Sequence, residues 1–303
     1  MNASSVTPSE GRDHVAKTFD FSVDKFPLFG PDAMQTNGVY GLFRSDTGQH
    51  VGRPCSKRYV PHQTEDVLAL FDAGSEAFDG QVDVRCHFSN GHYVSIAPTV
   101  EYRQSIYGDR DNVFPRIVVR AGYNGQSFKA IMGYYRDLCD NMAMMTSVKG
   151  TSVAIRHTSG LRYKMDSLVA SFETLKESWA DLHGLIAHLE SKTARLNDFM
   201  DSLYPLPEEG DSAAKKSKHE KRSKEIWDRI DSERYRSGRP PAINREYSLW
   251  ELFNGVQGYY QHKRTAAQQS GVAETPSYLA DVLRAANTPA VKKAEELALE
   301  LAV

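Results

Sequence analysis

A group of arginine, lysine and tyrosine side chains in the middle of the chain has the residue types that hold a nucleic-acid strand. Arg116, Val118 and Arg120 alternate with Ile117 and Val119, and alternate residues of a strand point to the same face. The spacing predicts one cationic face and one core face. Arginine and lysine hold phosphates while aromatic rings stack on bases, so the pattern favours single-stranded nucleic acid. The predicted binding residues are Arg116, Arg120, Tyr123, Lys129, Tyr134, Tyr135, Arg136, Asn141, Arg156 and His157.

The same pattern also fits an ordinary solvated sheet face on which the tyrosines are half-buried packing residues, and the sequence leaves both interpretations open. A second basic run covers residues 215–224. A charge run of this kind is more typical of a solubilising loop than of a ligand site.

Motifs for other chemistries are absent from the sequence. It contains no GxxxxGK[ST], no GxGxxG and no GxSxG, so neither nucleotide hydrolysis nor acyl transfer is predicted. A metal site would need Cys86 and His87 to converge with His92, or Cys139 to converge with His157. We favour the interpretation that these side chains are packing or surface residues. We therefore expect no catalytic residue, no metal and no cofactor.

Composition places the chain among ordinary globular proteins. Of 303 residues, 40% are hydrophobic and 25% are charged, and the net charge is only -2. Three cysteines without CxxC spacing suggest neither disulfides nor a zinc ribbon. No stretch approaches the roughly 20 apolar residues of a membrane span, and the N-terminus lacks a secretory signal. We expect a cytoplasmic protein, in a bacterial cell or a phage-infected host, with no membrane partner.

The coarse elements in the first half predict a sheet with a packed helix. Residues 1–60 suggest an irregular arm with a strand pair, and residues 61–78 have helical apolar spacing behind Thr64. Residues 82–88 and 93–96 form a predicted hairpin, and 114–121 with 127–134 form a second one around an Asn-Gly turn. A further strand is predicted at 151–157.

The second half predicts helices. Apolar residues repeat as a heptad from Leu168 to Leu203, a seam that either packs inside the chain or pairs with the same helix of another subunit as a homo-oligomer. Helices follow at 219–237 and 248–268, and a last one begins with Thr288 as cap and Pro289.

The fold class is therefore α+β, with an antiparallel sheet and packed helix in the N-terminal half and a long helical, heptad-bearing C-terminal half. Predicted segments are an arm at 1–60, an α+β core domain at 61–164, and a helical region at 165–303 with a basic loop at 208–224.

Several motifs together resemble a known family. They are Val113-Phe-Pro-Arg-Ile-Val-Val-Arg120, Gly133-Tyr-Tyr-Arg-Asp-Leu-Cys-Asp-Asn-Met142, Ile155-Arg-His-Thr158, Arg58-Tyr-Val-Pro-His-Gln-Thr-Glu65 and residues 249–262. This set resembles the phage/plasmid-like protein family of unknown function. Asp140 and Met142 depart from the family's usual Thr or Ser and Gly. The resemblance implies a protein of mobile elements without an established enzyme activity, and the order of elements is also similar to single-strand annealing proteins such as RecT and Erf.

Three hypotheses follow. The leading one is a DNA-binding, ATP-independent protein that binds and anneals single-stranded DNA in recombination. The second is a non-enzymatic protein-interaction factor of a mobile element, for example one that counters host defence. The third is a metal-dependent nuclease, which needs Cys or His and carboxylates to converge in one pocket.

Overall fold

The structure, a computed structural model, describes residues 7–31, 34–77, 82–88, 91–98, 103–123, 128–136, 138–139, 141–143, 152–155, 177–263 and 278–303. These divide into two compact units. Unit 1 takes the described residues of Met1–Tyr102, Pro115–Met132 and Gly150–Ser178, and unit 2 takes those of Arg103–Phe114, Gly133–Lys149 and Trp179–Val303. The segments at 1–60, 61–164 and 165–303 stay a prediction of domain boundaries.

The N-terminal region of unit 1 is more regular than the predicted arm. Helix α1 spans Pro8–Thr18 and begins with a capping box of Thr7 and Glu10. An antiparallel sheet follows, in the order β1 (Val23–Phe29), β2 (Gln35–Arg44) and β3 (His50–Ser56). The irregular arm is corrected here, because a helix and three strands occupy most of this region, and the aromatic piece at residues 39–43 lies within β2. Gly48 has a φ of 66° between β2 and β3, which glycine adopts without steric cost.

The helix and hairpin that follow confirm the prediction. Helix α2 spans Thr64–Ala77, and β4 (Val82–Phe88) pairs antiparallel with β5 (Gly91–Pro98). Leu70 and Phe71 of α2 pack with Val15 of α1 and with Ile117 and Val119. The alternating apolar positions thus face the two helices, as their period of two predicts.

Strands β7 (Asp111–Gly122) and β8 (Phe128–Arg136) are neighbours, which confirms the second predicted strand pair. In unit 1 the strand order is β10-β8-β7-β5-β4, where β10 is Ser152–Ile155. In unit 2, β6 (Gln104–Tyr107) pairs with the first residues of β7, and β9 (Asn141–Ala143) pairs with the last residues of β8. The Asn-Gly turn at 124–125 lies outside the described residues.

Helices make up most of unit 2. They are α3 (described at 177–191), α4 (Leu196–Leu203), α5 (Ala213–Ser237), α6 (Leu249–His262), α7 (Tyr278–Ala286) and α8 (Pro289–Ala302), with a 3-10 turn at Ile243–Arg245. The predicted start of the last helix is confirmed. The fold class, α+β with antiparallel sheets, is confirmed as well, and no helix within the described ranges is long and apolar enough to cross a bilayer.

The heptad does not form one continuous helix. Between α3 and α4 the chain extends as β11 (Thr193–Arg195), which pairs antiparallel with β12 (Glu246–Ser248). The apolar seam positions that the structure describes are buried inside the chain, whereas Thr193 is exposed; the buried ones are Trp179, Leu182, Ile186, Leu189, Leu196, Met200 and Leu203. The described part of 168–203 therefore packs intramolecularly, and the seam offers no free apolar face there for another subunit.

The predicted basic loop at 208–224 is also corrected. Helix α5 begins at Ala213, and the Ser212 hydroxyl accepts a hydrogen bond from the Lys215 backbone N–H at 3.3 Å. This N-cap lies five residues after Pro207, the second proline of the preceding Pro-Leu-Pro segment. Lysine and arginine have good helix propensity, so the polar run is compatible with a helix as well as with a loop.

Candidate functional site

The predicted cationic face of β7 and β8 is covered rather than exposed. Ile117 and Val119 lie in the core as predicted, but Arg116 and Val118 on the opposite face are 2% and 0% exposed. Both faces of β7 are buried, and strands buried on both faces have near-continuous apolar runs. The unbroken Ile-Val-Val at 117–119 was the signal for this burial.

The other predicted binding residues have similar surroundings. Arg120 and Lys129 are half-buried, and Arg156 and His157 lie outside the described residues. The buried members are Tyr123, Tyr134, Tyr135, Arg136 and Asn141. They do not form an exposed sheet face, and their contact with DNA stays a prediction.

Tyr123 illustrates how a predicted stacking residue is used inside unit 1. Its ring stacks on His62 with centroids 4.2 Å apart, and its hydroxyl donates to the His62 carbonyl at 2.8 Å. Gly52 lies against the Tyr123 backbone, where a Cβ would overlap the carbonyl. Both the ring face and the hydroxyl therefore have partners inside the protein.

Arg136 lies in a buried ionic network of unit 2. It is 1% exposed, and its Nε and Nη2 donate to the two Asp111 oxygens at 2.7 and 2.8 Å. Its Nη1 donates to Glu233 Oε2 at 2.8 Å. This fork geometry is the strongest arrangement for a guanidinium and a carboxylate.

Arg239 extends the network from the segment that follows α5. Its Nη1 donates to Asp111 Oδ2 at 2.5 Å, and its Nη2 donates to Glu190 Oε1 at 2.7 Å. Burial alone would raise the pKa of Asp111, but the hydrogen bonds and charges of Arg136 and Arg239 outweigh burial and lower it. Burial raises the pKa of Glu190 in spite of Arg239.

Two further ion pairs complete a charge balance. Arg234 Nη1 donates to Glu251 Oε2 at 2.6 Å, and Arg229 Nε lies 2.9 Å from Glu233 Oε1 without hydrogen-bond alignment. The network thus contains four guanidinium groups and four carboxylates, namely Arg136, Arg229, Arg234, Arg239, Asp111, Glu190, Glu233 and Glu251. We call these eight residues the buried network. Its charges balance, so it has no cation left over for a phosphate.

Next to the buried network, Asn141 and Cys139 follow the last residue of β8. The Asn141 Oδ1 lies 2.8 Å from Arg229 Nη2 and 3.0 Å from His262 Nε2. Burial, and then the charge of Glu233, raise the pKa of Cys139 to about 12. The sulfur is therefore a thiol near neutral pH, and thiolate chemistry is not supported.

An exposed cationic surface lies on the first half of α5 instead. Residues 213–224, which we call the basic half of α5, contain six lysines and arginines and one acid, Glu220. Lys215 and Lys224 pair with Asp211 and Asp228. Lys218 is exposed and has no ion-pair partner within the part of the chain that the structure describes. A surplus of solvated cations on one helix is an electrostatic footprint for a polyanion.

A pocket lies beside the second half of the same helix. It encloses about 240 Å³ between α5 and the returning segment 239–247, and we call it the α5 pocket. Its walls combine three aromatic rings, three arginines and one carboxylate. The lining residues are Trp227, Asp231, Arg234, Tyr235, Arg239, Pro241, Ala242, Arg245 and Tyr247.

Hydrogen bonds hold the pocket walls together. Trp227 Nε1 donates to the Tyr247 hydroxyl at 3.1 Å, and that hydroxyl donates to Asp231 Oδ1 at 2.5 Å. Burial, and then the bond to Asp231, raise the pKa of Tyr247 to about 12, so the phenol remains a donor. The Arg245 guanidinium lies 4.1 Å from the Trp227 ring centroid.

A sharp turn places Arg245 at the pocket. Gly238 ends α5 in the left-handed conformation with φ 80°, and Asn244 and Arg245 have φ values of 54° and 56°. Left-handed backbone at residues other than glycine costs free energy and clusters at functional sites. Sequence reasoning missed this pocket, because it predicted helices at 219–237 and 248–268 and assigned no role to the residues between them.

Metal chemistry finds no support in the described ranges. No three His, Cys, Asp or Glu side chains there are arranged to hold a metal ion. The side chains of His87, His92 and His157, which the sequence-based alternatives need, lie outside what the structure describes.

Comparison with known proteins assigns a family without assigning an activity. Residues 53–296 match the family described as Domain of unknown function (DUF932), and the chain belongs to it. No curated protein and no solved structure matches the chain. Function therefore has to be argued from the two exposed features of α5.

Proposed function

We propose that this chain is an ATP-independent single-stranded DNA-binding protein of a phage or plasmid, and that it promotes strand annealing in recombination. The mobile-element context comes from the family resemblance. One observation carries the binding activity: the accessible surface of α5 combines a surplus of cations in its first half with an aromatic, arginine-lined pocket beside its second half.

The length of α5 suits a strand that lies along it. The helix has 25 residues, which correspond to roughly 37 Å at about 1.5 Å per residue. Sequence-tolerant binding of a single strand has two parts. Cations follow the phosphate backbone, and aromatic rings stack on the bases. Both parts belong to one helix, the cations to its first half and the rings to the α5 pocket beside its second half.

Arg222 adds an aromatic element to the basic half of α5. Its guanidinium lies 3.6 Å from the ring centroid of Tyr204, whose hydroxyl donates to that of Tyr260 at 3.0 Å. A guanidinium that contacts a ring face can keep N–H donors available at its edge, and such donors suit phosphate oxygens.

The proposal is tested by fluorescence anisotropy of labelled single- and double-stranded oligonucleotides at about 50 and about 200 mM salt, with no nucleotide added. Binding driven by several phosphate contacts weakens by orders of magnitude over this range. We expect salt-sensitive binding that favours the single strand, and faster annealing of complementary oligonucleotides. Absence of binding at the lower salt concentration contradicts the proposal.

The second candidate, a protein-interaction factor, is favoured by apolar side chains on the sheet of β1 and β2. Phe26, Phe29 and Met34 are exposed there, and an open groove lies beside the two phenylalanines. Exposed apolar clusters mark interaction surfaces. If the oligonucleotide experiments show no binding, the double variant Phe26→Ser with Phe29→Ser tests this second candidate. It should abolish the activity of the mobile element's protein in the host while circular dichroism shows that the fold is retained.

A further inference from the structure

We propose that the α5 pocket seats a single nucleotide of the bound strand and prefers a base that carries an exocyclic amino group. This inference rests on the proposed function, because it names the part of the ligand that the pocket recognises. Tyr235 and Trp227 would contact the base, Arg245 the adjoining phosphate, and Asp231 the amino group of the base.

The volume of the pocket limits what it can hold. About 240 Å³ is several times the roughly 30 Å³ that one water occupies in the liquid. It is below the range of about 300–1,000 Å³ that is usual for sites of drug-sized ligands. One planar ring system therefore fits better than two stacked nucleotides.

Tyr235 provides the open aromatic face. It is 84% exposed, although a tyrosine ring in water forgoes the favourable free energy of burying its apolar surface. It lies on the same face of α5 as Asp231 and Trp227, at spacings of four and eight residues. A base stacked on this ring would lie within reach of the Asp231 carboxylate.

Arg245 differs from the two other arginines of the pocket. Arg234 and Arg239 belong to the buried network, where Glu251, Glu190 and Asp111 neutralise them. Arg245 is exposed and has no carboxylate within ion-pair distance among residues that the structure describes. The left-handed turn places its guanidinium over Trp227, so a cation is already oriented for a phosphate.

Asp231 provides the means of selection. The carboxylate accepts a hydrogen bond from the Tyr247 hydroxyl at Oδ1 and has further acceptor capacity. A carboxylate pairs well with an amino group of a base such as N4 of cytosine. Thymine lacks an amino group, and two carbonyl oxygens flank its N3–H. We therefore expect cytosine to be favoured over thymine.

Trp227 provides a readout that does not depend on long-strand binding. The chain has three tryptophans, and Trp179 and Trp250 are buried whereas Trp227 is half-buried. The full-length protein is titrated with dCMP and with dTMP while tryptophan emission is recorded. Anisotropy titrations with oligo(dC) and oligo(dT) are made in parallel.

The wild-type protein should show quenching by dCMP and bind oligo(dC) more tightly than oligo(dT). Asp231→Asn should remove the preference, and Tyr235→Ala or Arg245→Ala should weaken oligo(dC) binding by at least about fivefold, the lower end of what one stacked base contributes. Arg236→Ala is the matched control, since Arg236 is exposed on the same helix but does not line the pocket. Its preference for oligo(dC) over oligo(dT) should equal that of the wild type.

Two outcomes separate this inference from the proposed function. If oligonucleotides bind with strong salt sensitivity but the pocket variants bind like the wild type, the pocket assignment is overturned while DNA binding stands. If dCMP quenches Trp227 in an Arg245-dependent manner but no oligonucleotide binds, the pocket stands as a nucleotide site and the DNA-binding proposal fails. Equal affinity for the two homopolymers overturns the role of Asp231.

Discussion

Helix α5 has two faces that use charged residues in opposite ways. Its buried face contributes Glu233 to the buried network, in which every guanidinium has a carboxylate partner. Its solvent-accessible surface carries Lys218 in the basic half, where cations outnumber acids, and Trp227 at the α5 pocket, where the ring contacts Arg245. The comparison shows that carboxylates inside the protein neutralise the interior arginines, whereas cations at the surface remain available to a ligand.

Solvation explains the difference. A buried charge loses its hydration, and the loss is tolerated only when partners surround the charge closely. An exposed ion pair adds little to stability. Variants on the two faces should therefore affect different measurements, with stability changing on the buried face and binding on the exposed face.

Asp111→Asn is the most disruptive change. It leaves Arg136 and Arg239 with an uncompensated buried charge, which typically lowers the free energy of unfolding by about 3–5 kcal/mol. Urea unfolding followed by circular dichroism measures the loss. The control is Asp228→Asn, which breaks the exposed pair with Lys224 and should cost well under about 1 kcal/mol. If the two variants lose equal free energy of unfolding, the distinction between the buried and the exposed face of α5 is contradicted.

Gly255→Ala tests how closely α5 and α6 pack on the buried face. An added Cβ would overlap the Ile230 side chain, so overpacking should destabilise the protein by about 1–3 kcal/mol. The matched control is Gly184→Ala in α3, where a Cβ meets no atom within 4 Å. That change should stabilise the protein by roughly 0.5–1 kcal/mol through helix propensity. Thermal unfolding compares the stability of the two variants. If both substitutions stabilise the protein, the close contact between Gly255 and Ile230 is absent.

The pH dependence of stability tests Asp111 in another way. Its pKa is lower in the folded protein, so the unfolded chain binds the proton more readily. The stabilisation is present above the unfolded value of about 3.9 and is lost as pH falls through the folded pKa. Urea midpoints between pH 6 and pH 2 should fall, and they should fall less steeply in Asp111→Asn. A parallel decline in both proteins would assign acid unfolding to other groups.

Tyr235→Ala should have the smallest effect on stability. The side chain is almost fully solvated, and exposed substitutions usually change the free energy of unfolding by no more than about 0.5 kcal/mol. Oligonucleotide affinity should nevertheless decrease, because the stacking ring is gone. A loss of stability with unchanged affinity would place Tyr235 among the packing residues instead.

Local patterns were sufficient for much of the fold. Strict alternation at 82–88 predicted β4, the acids after Thr64 predicted the start of α2, and Thr288 before Pro289 predicted the start of α8. The heptad failed at 193–195 because strand pairing with residues 246–248 competes locally with helix. Periodicity within a segment contains no information about such a distant partner.

The ion pairs of the predicted Arg136, and of Arg239, which was not predicted, join residues that are distant in sequence. Arg136 meets Asp111 and Glu233, which are 25 and 97 residues away, and Arg239 meets Asp111 across 128 residues. A basic strand looks the same in sequence whether solvent or a carboxylate faces it. The α5 pocket was missed for a similar reason, because a tertiary turn brings Arg245 to Trp227.

The salt dependence of oligonucleotide binding tests the central claim most directly. Anisotropy titrations from about 50 to about 200 mM salt should compare the wild type, Lys218→Glu with Lys221→Glu, and Lys17→Glu with Lys292→Glu, two exposed lysines outside α5. Net charge changes equally in both variants. We predict that the α5 variant binds more weakly and that its salt slope falls by about two, one for each lost phosphate contact, while the control keeps the wild-type slope. Equal slopes in the two variants, or no binding by the wild type, would contradict the assignment of DNA binding to α5.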